Sequence, residues 1–289
     1  MPEPRVEVKK TYKLFIGGAF PRSESARSYV VDAHDGRFLA NAAWASRKDV
    51  RDAVVAARAA VPKWGAATAY NRGQVLYRVA EMLEDRAAQF AAAVRDAEGA
   101  TARAANAQVA AAVDRWVWYA GWADKLAQVA GSANAVAGPY FNFSVPEPTG
   151  VIGAVAPTDS SLLGLVSVLA PLLAASNCVV VLADEHRPIP AMTLAEVLAT
   201  SDVPAGTVNV LTGPVGELAP VLASHRDVDG MDLAGAPASI AGELEAAGAT
   251  NIKRIARPVA PGTDWSADPG TSRLLRFVET KTVWHPIGI

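Results

Sequence analysis

One cysteine, Cys178, in 289 residues excludes an internal disulfide and any cysteine-based metal site. It fits a reducing compartment, so a cytoplasmic protein is expected. The four histidines, His34, His186, His225 and His285, are scattered and no H-E-x-x-H occurs, so no metal site is expected. Charge is also sparse, at 19% of residues and a net −2, which gives no reason to invoke nucleic acid or an anionic membrane as partner. The first thirteen residues lack the apolar core of a secretory signal, and there is no internal repeat. The run 162–182 is uncharged and of membrane-spanning length, but it contains Pro171, is interrupted by Ser176-Asn177 and is β-branched in its second half. It reads as a helix followed by a strand, with no membrane span. Apolar residues nevertheless make up 51% of the chain, enough for a sizeable core.

The informative stretch is 147–185. A short apolar β-branched run at 151–155 lies between Gly150 and Pro157, as in a strand buried on both faces. Residues 157–161 form a polar turn in which Ser160 or Ser161 can cap a helix over 162–175. Asn177 is the expected stop, and 179–182 is a second buried strand. Strand, turn, helix and strand make a right-handed βαβ unit. Ligands in open α/β sheets lie outside the carboxyl ends of such strands, which directs attention to 157–161 and 183–186.

Before this unit, LFIGGAF at 14–20 reads as a hairpin about Gly17-Gly18, and 29–33 and 38–44 as two further strands. Ser46 and Asp49 form a capping-box-like start to a helix that Pro62-Lys63-Trp64-Gly65 should end. Amphipathic helical patterns follow at 71–97, as one helix or two, and at 102–126, with Trp116, Tyr119 and Trp122 facing inward. Residues 138–148 are extended. After Leu182 come a helix at 191–200, a strand at 206–211, a helix at 216–224, a strand at 227–234, a helix at 238–247, and a Pro/Gly/Asp-rich linker at 258–271.

As a set, several segments resemble the aldehyde dehydrogenase family. They are FIGG at 15–18, VRDAVVAARAAVPKW at 50–64, the arginine-led helix from Arg72, YAGWADKL at 119–126, EPTGVIGAVAP at 147–157, GTVNVL at 206–211 and NIKR at 251–254. The resemblance implies an α/β fold: a Rossmann-like open parallel sheet with helices on both faces, plus a small β ribbon for oligomerisation. It divides the chain into a nucleotide-binding-like domain at 1–137 and 149–257, a ribbon at 138–148 and 273–289, and a linker at 258–272 where full-length members carry their catalytic domain. LLRFVETKTVW at 274–284 resembles the family's C-terminal strand. The whole resembles the shortened, cysteine-less second unit of two-unit family members, here as its own chain.

The family's activity is NAD(P)-dependent aldehyde oxidation, and its functional letters fall on unsuitable residues here. The oxyanion-hole asparagine maps to Asp159, and the tryptophan beside it to Thr158. The ribose-binding lysine maps to Ala183 and a nearby glutamate to His186. The Gly-x-Thr-x-x-Gly turn maps to Gly235, Pro237 and Ile240, and the general-base glutamate to Pro258. A carboxylate at 159 repels an oxyanion, and Pro237 and Ile240 remove a phosphate cradle. Cys178, in an apolar run, reads as a buried structural thiol, and Asp184-Glu185-His186 as a polar loop. No catalytic residue, no metal and no bound cofactor are therefore expected, with NAD(P) the cofactor if there is one. The ribbon side chains Phe141, Phe143, Val145, Phe277, Thr282 and Trp284 are the expected oligomer contacts. Three functions compete: a non-catalytic subunit paired with itself or with a full-length aldehyde dehydrogenase, an NAD(P)-dependent oxidoreductase with a rearranged site, and a nucleotide-binding sensor.

Overall fold

A computed structural model describes residues 8–288; residues 1–7, part of the stretch inspected for a signal, and Ile289 lie outside the described residues. The chain begins with β1 (Thr11–Tyr12), β2 (Ser28–Asp32) and β3 (Phe38–Ala43), a small sheet of order β1-β3-β2. Between β1 and β2 the expected hairpin is reduced to a turn. Ile16 and Ala19 exchange both backbone bonds across Gly17 and Gly18, which sit at φ 61° and 79°, where glycine carries no steric cost. Phe15 then bridges antiparallel to Val210, covering one edge of the main sheet.

The helical layer follows as α1 (Arg47–Ala66), α2 (Ala69–Asp85), α3 (Ala87–Glu98), α4 (Ala102–Trp122) and α5 (Leu126–Ala130). Ser46 and Asp49 do form the capping box at the start of α1. Pro62 does not end it: the helix runs on to Ala66, because Trp64 is buried and its indole N–H donates to the Leu173 carbonyl at 3.2 Å. Tertiary anchoring here outweighs the helix-breaking tendency of proline. Trp116 and Tyr119 are buried as the 3.6-residue period requires, and Trp122 is half-buried.

The ribbon contains β4 (Ser132–Asn134) and β5 (Tyr140–Pro148), and β5 leads into the main sheet. That sheet and its helices are β6 (Val151–Val155), α6 (Leu163–Ala174), β7 (Cys178–Leu182), α7 (Pro188–Leu198), β8 (Val208–Leu211), α8 (Val215–Ser224), β9 (Gly230–Asp232), α9 (Ala238–Ala249) and β10 (Arg254–Ala256). All five strands are parallel, in the order β10-β9-β6-β7-β8. Helices α6 and α7, backed by α2, α3 and α4, cover one face, while α1, α8 and α9 cover the other. Every residue of β6 and β7 is buried, as their continuous apolar runs require. Ser160 Oγ accepts from the Gly164 N–H at 3.0 Å at the head of α6. At its foot the left-handed residue is Ser176, at φ 68°, while the Asn177 side chain ties the Gly150 N–H to the Phe277 carbonyl. Helix α7 starts at Pro188, earlier than the pattern at 191–200, because proline suits a first helical turn.

The C-terminal part departs most from expectation. Residues 272–276 form a helix, α10 (Ser272–Arg276), packed on α6, and only β11 (Val278–Pro286) is strand. Phe277, expected on the ribbon, is 1% exposed; its ring lies against Gly230, so it belongs to the main core. The ribbon sheet has the order β11-β5-β4, antiparallel throughout. Its inward face is polar: Asn142 and Ser144 are buried, and Asn134 donates to both, at 2.6 and 2.9 Å. Phe143 and Val145 are half-buried, whereas Phe141 and Trp284 are 50% and 58% exposed.

Candidate functional site

The strand order reverses between β6 and β9, so the crevice at their carboxyl ends is the topological switch point where open α/β sheets bind ligands. Three of the expected positions come together there: Thr158 and Asp159 after β6, and Gly235 after β9. Gly235 closes the crevice floor. Its N–H donates to the Val155 carbonyl at 3.0 Å, and a Cβ at this position would stand 1.8 Å from the Ala156 oxygen, so only glycine fits.

Above that floor lies Trp265, from the segment expected to be a plain linker. The side chain is 7% exposed and its Nε1–H donates to Asp159 Oδ1 at 2.9 Å. Two arginines hold the segment down. Arg115 on α4 is buried and donates to Ser167 Oγ at 3.0 Å, to the Trp265 carbonyl at 2.7 Å and to the Ala267 carbonyl at 3.0 Å. Arg273 on α10 lies 5.0 Å from the centre of the Trp265 ring and 3.4 Å from the buried Asp232 carboxylate. Burial pushes the Asp232 carboxyl up, against the pull of Arg273. Trp265 thus anchors the segment 258–271 beside the switch point, while most of the segment's other residues are exposed.

The turn before α6 is likewise occupied from within. Glu98, at the end of α3, accepts from the Ser161 N–H at 2.7 Å and its hydroxyl at 2.5 Å, placing a carboxylate where the helix dipole favours one. Gln108 donates to the other Glu98 oxygen at 2.9 Å.

The remaining positions do not converge on this crevice. Ala183 is fully buried after β7 and carries no polar side-chain atom. Asp184 is buried, its carboxyl pushed up by burial, and accepts from the His186 N–H at 3.0 Å. Glu185 accepts from the Val215 N–H at 2.8 Å at the head of α8, and the 82% exposed His186 side chain approaches Glu185 to 3.3 Å. Pro237 stands at the N-cap of α9 without a side-chain cap, and Ile240 is half-buried one turn on. Pro258 is half-buried beyond β10. Cys178 begins β7, at the end of the sheet away from the crevice, on the order of 13 Å along the strand from Leu182. Burial pushes its thiol up to about 12, with Arg58 opposing, so it is not a nucleophile at neutral pH. Among the described residues no three His, Cys, Asp or Glu side chains converge to hold a metal ion. No helix among them is long and apolar enough to cross a membrane; the run at 162–182 is split into α6 and β7.

Trp265, Arg115, Arg273, Asp232 and Glu98 carry the crevice, and the sequence reading missed all five. The one available signal was a tryptophan in a stretch otherwise made of turn residues, GTDWSADPG.

The model of the aldehyde dehydrogenase family matches residues 20–257. Mouse cytosolic 10-formyltetrahydrofolate dehydrogenase is 30% identical over 257 residues, covering 87% of this chain and 28% of that protein. Human retinal dehydrogenase 2 is 31% identical over 261 residues, covering 88% of this chain and 49% of that one. Among solved structures, HpcC from Thermus thermophilus superposes with a TM-score of 0.78 at 28% identity, over 85% of this chain and 47% of that chain. The NAD+ complex of an aldehyde dehydrogenase from Bacillus cereus, at 24% identity, shares the fold with a TM-score of 0.81 over 85% and 50%. The chain spans half or less of the length of these relatives. By the family match over most of its length and by the relatives, this chain belongs to the aldehyde dehydrogenase family.

Proposed function

We propose that this chain is a non-catalytic member of its family, an assembly subunit that pairs through its ribbon with another copy or with a full-length aldehyde dehydrogenase. The observation that carries the reading is the bond from Trp265 to Asp159. The position that aligns with an oxyanion donor holds an acceptor, and that acceptor is already used by the chain's own Trp265. A carboxylate there cannot donate to developing negative charge. The buried Cys178 thiol supports the same reading, because covalent aldehyde oxidation requires an accessible thiolate.

The residues present do not fit a dinucleotide. Ala183 offers nothing to a ribose, Pro237 has no N–H for a phosphate, and Ile240 replaces a glycine with a branched side chain. We therefore propose no bound NAD(P), although one structural neighbour is an NAD+ complex. The domain division follows from the same reading: 1–137 and 149–257 form the sheet domain, 258–272 the connection anchored by Trp265, and 138–148 with the strand from Val278 the ribbon. A reducing, cytoplasmic location fits the single buried thiol.

The test is turnover. Purified chain at micromolar concentration, given NAD+ or NADP+ with short aliphatic and aromatic aldehydes, should produce no reduced cofactor above background. Aldehyde-dependent reduction that persists through repurification and disappears in Cys178→Ala would defeat the proposal.

A further inference from the structure

The free edge of β11 is a long strand with unspent backbone groups, and its sequence selects a partner. Backbone bonds at the two ends fix which groups face outward. Thr149 N–H donates to the Phe277 carbonyl and Ile287 N–H to the Pro139 carbonyl. In the β11–β5 register, continued one step beyond each end, these are opposite pairs, so odd-numbered residues of β11 spend their N–H and C=O on β5. Pro146 and Pro148, which have no N–H, stand opposite the even residues Thr280 and Val278, as this alternation requires. The N–H and C=O of Val278, Thr280, Thr282 and Trp284 therefore point away from the sheet, along an edge exposed over nearly its whole length.

Edges of this length are normally protected by charge or interruption. The two charges of this edge are turned back on their own copy: Glu279 pairs with Arg254 at 2.7 Å and Lys281 with Glu147 at 2.9 Å. Neither blocks an approaching strand.

We propose that the occupant of this edge is the β11 of a second copy, antiparallel about a two-fold axis at Thr282. The inference rests on the assembly reading above and makes it specific. In this register Thr282 faces Thr282 of the other copy, Thr280 faces Trp284, Lys281 faces Val283, Glu279 faces His285 and Val278 faces Pro286. No like charges are opposed, a β-branched residue meets an aromatic, and the whole strand is paired. Sliding by two residues one way sets Lys281 against itself; sliding the other way sets it against His285. The outward N–H and C=O groups at Thr280, Thr282 and Trp284 become reciprocal pairs, and the two ribbons join into one sheet with an isologous interface.

Thr282→Cys tests the register directly, because Cys178 is buried and the new thiol reports alone. Opposed residues in a bonded antiparallel pair lie about 5.5 Å apart at Cα, within disulfide reach. Mild oxidation should convert most Thr282→Cys chain to a covalent dimer and leave Lys281→Cys monomeric under denaturing conditions. In a second arm, Thr282→Pro removes an outward N–H that β5 does not use, so the fold should remain while sedimentation velocity shifts from dimer to monomer. If unmodified chain sediments as a monomer at micromolar concentration, this inference falls; the assembly reading falls with it only if the chain also fails to co-sediment with a full-length aldehyde dehydrogenase. If it is a dimer in which Lys281→Cys crosslinks, Thr282→Cys does not, or Thr282→Pro remains dimeric, the inference alone is overturned.

Discussion

Replacing Trp265 with alanine asks whether its indole anchors the segment between β10 and α10. The indole is almost wholly withdrawn from solvent, under Arg273 and over the β6–β9 crevice. Truncating a buried aromatic to alanine costs about 3–5 kcal/mol. The low end applies, because a surface segment can collapse onto the space left behind. The lost N–H bond adds little, because Asp159 is exposed and regains water when its partner goes. A destabilisation of about 3 kcal/mol follows; with a urea slope of about 3 kcal/mol per molar, the midpoint should fall by roughly 1 M. Trp265→Phe keeps most of the packing, and should cost about 1 kcal/mol, mainly for the smaller ring left in the same space. Urea titrations followed by far-ultraviolet circular dichroism measure both, and protease cleavage within 258–271 should accelerate in the alanine variant. A midpoint for Trp265→Ala within about 0.2 M of the parent, a change below about 0.6 kcal/mol on the same slope, would refute the anchoring.

Cys178 should resist a thiol reagent at pH 8 in the folded protein and react fully once urea unfolds it, since burial holds its thiol near 12; rapid native labelling would contradict its placement in β7. Asp184 is pushed up by burial, so its favourable contribution is complete below the ordinary carboxylate range and is lost as pH rises through the raised value. Asp184→Asn keeps an acceptor for the His186 N–H, and its stability relative to the parent should therefore increase from pH 4 to pH 7. Urea midpoints across that range check this, and a pH-independent difference would contradict it.

Much of the fold was legible because local pattern and tertiary role agree in it. The buried runs of β6 and β7, the capping box at Ser46 and the apolar stripes of α2 to α4 satisfy the same packing from sequence and from structure. Failures occurred where a distant contact overrode a local signal. Pro62 reads as a helix end until Trp64 is seen anchored on Leu173. Phe277 reads as a ribbon contact, yet it fills the space beside Gly230. The ribbon's alternation was legible but its polarity was not, because Asn142 and Ser144 are buried by bonding to Asn134. In the crevice, resemblance located Thr158, Asp159 and Gly235. Their environment depends on Arg115 and Trp265, residues 150 apart that no local pattern links.

Titration with NAD+ tests the central claim most directly, because it requires neither a known substrate nor a known partner. With Ala183, Pro237 and Ile240 at the positions that the family resemblance assigns to cofactor contacts, millimolar NAD+ should stabilise the protein by no more than about 0.4 kcal/mol, the gain for a ligand at its dissociation constant. Calorimetric titration should likewise give no saturable heat in the micromolar range. Saturable binding with a micromolar dissociation constant, competed by ADP-ribose, would show a working dinucleotide site and contradict the account.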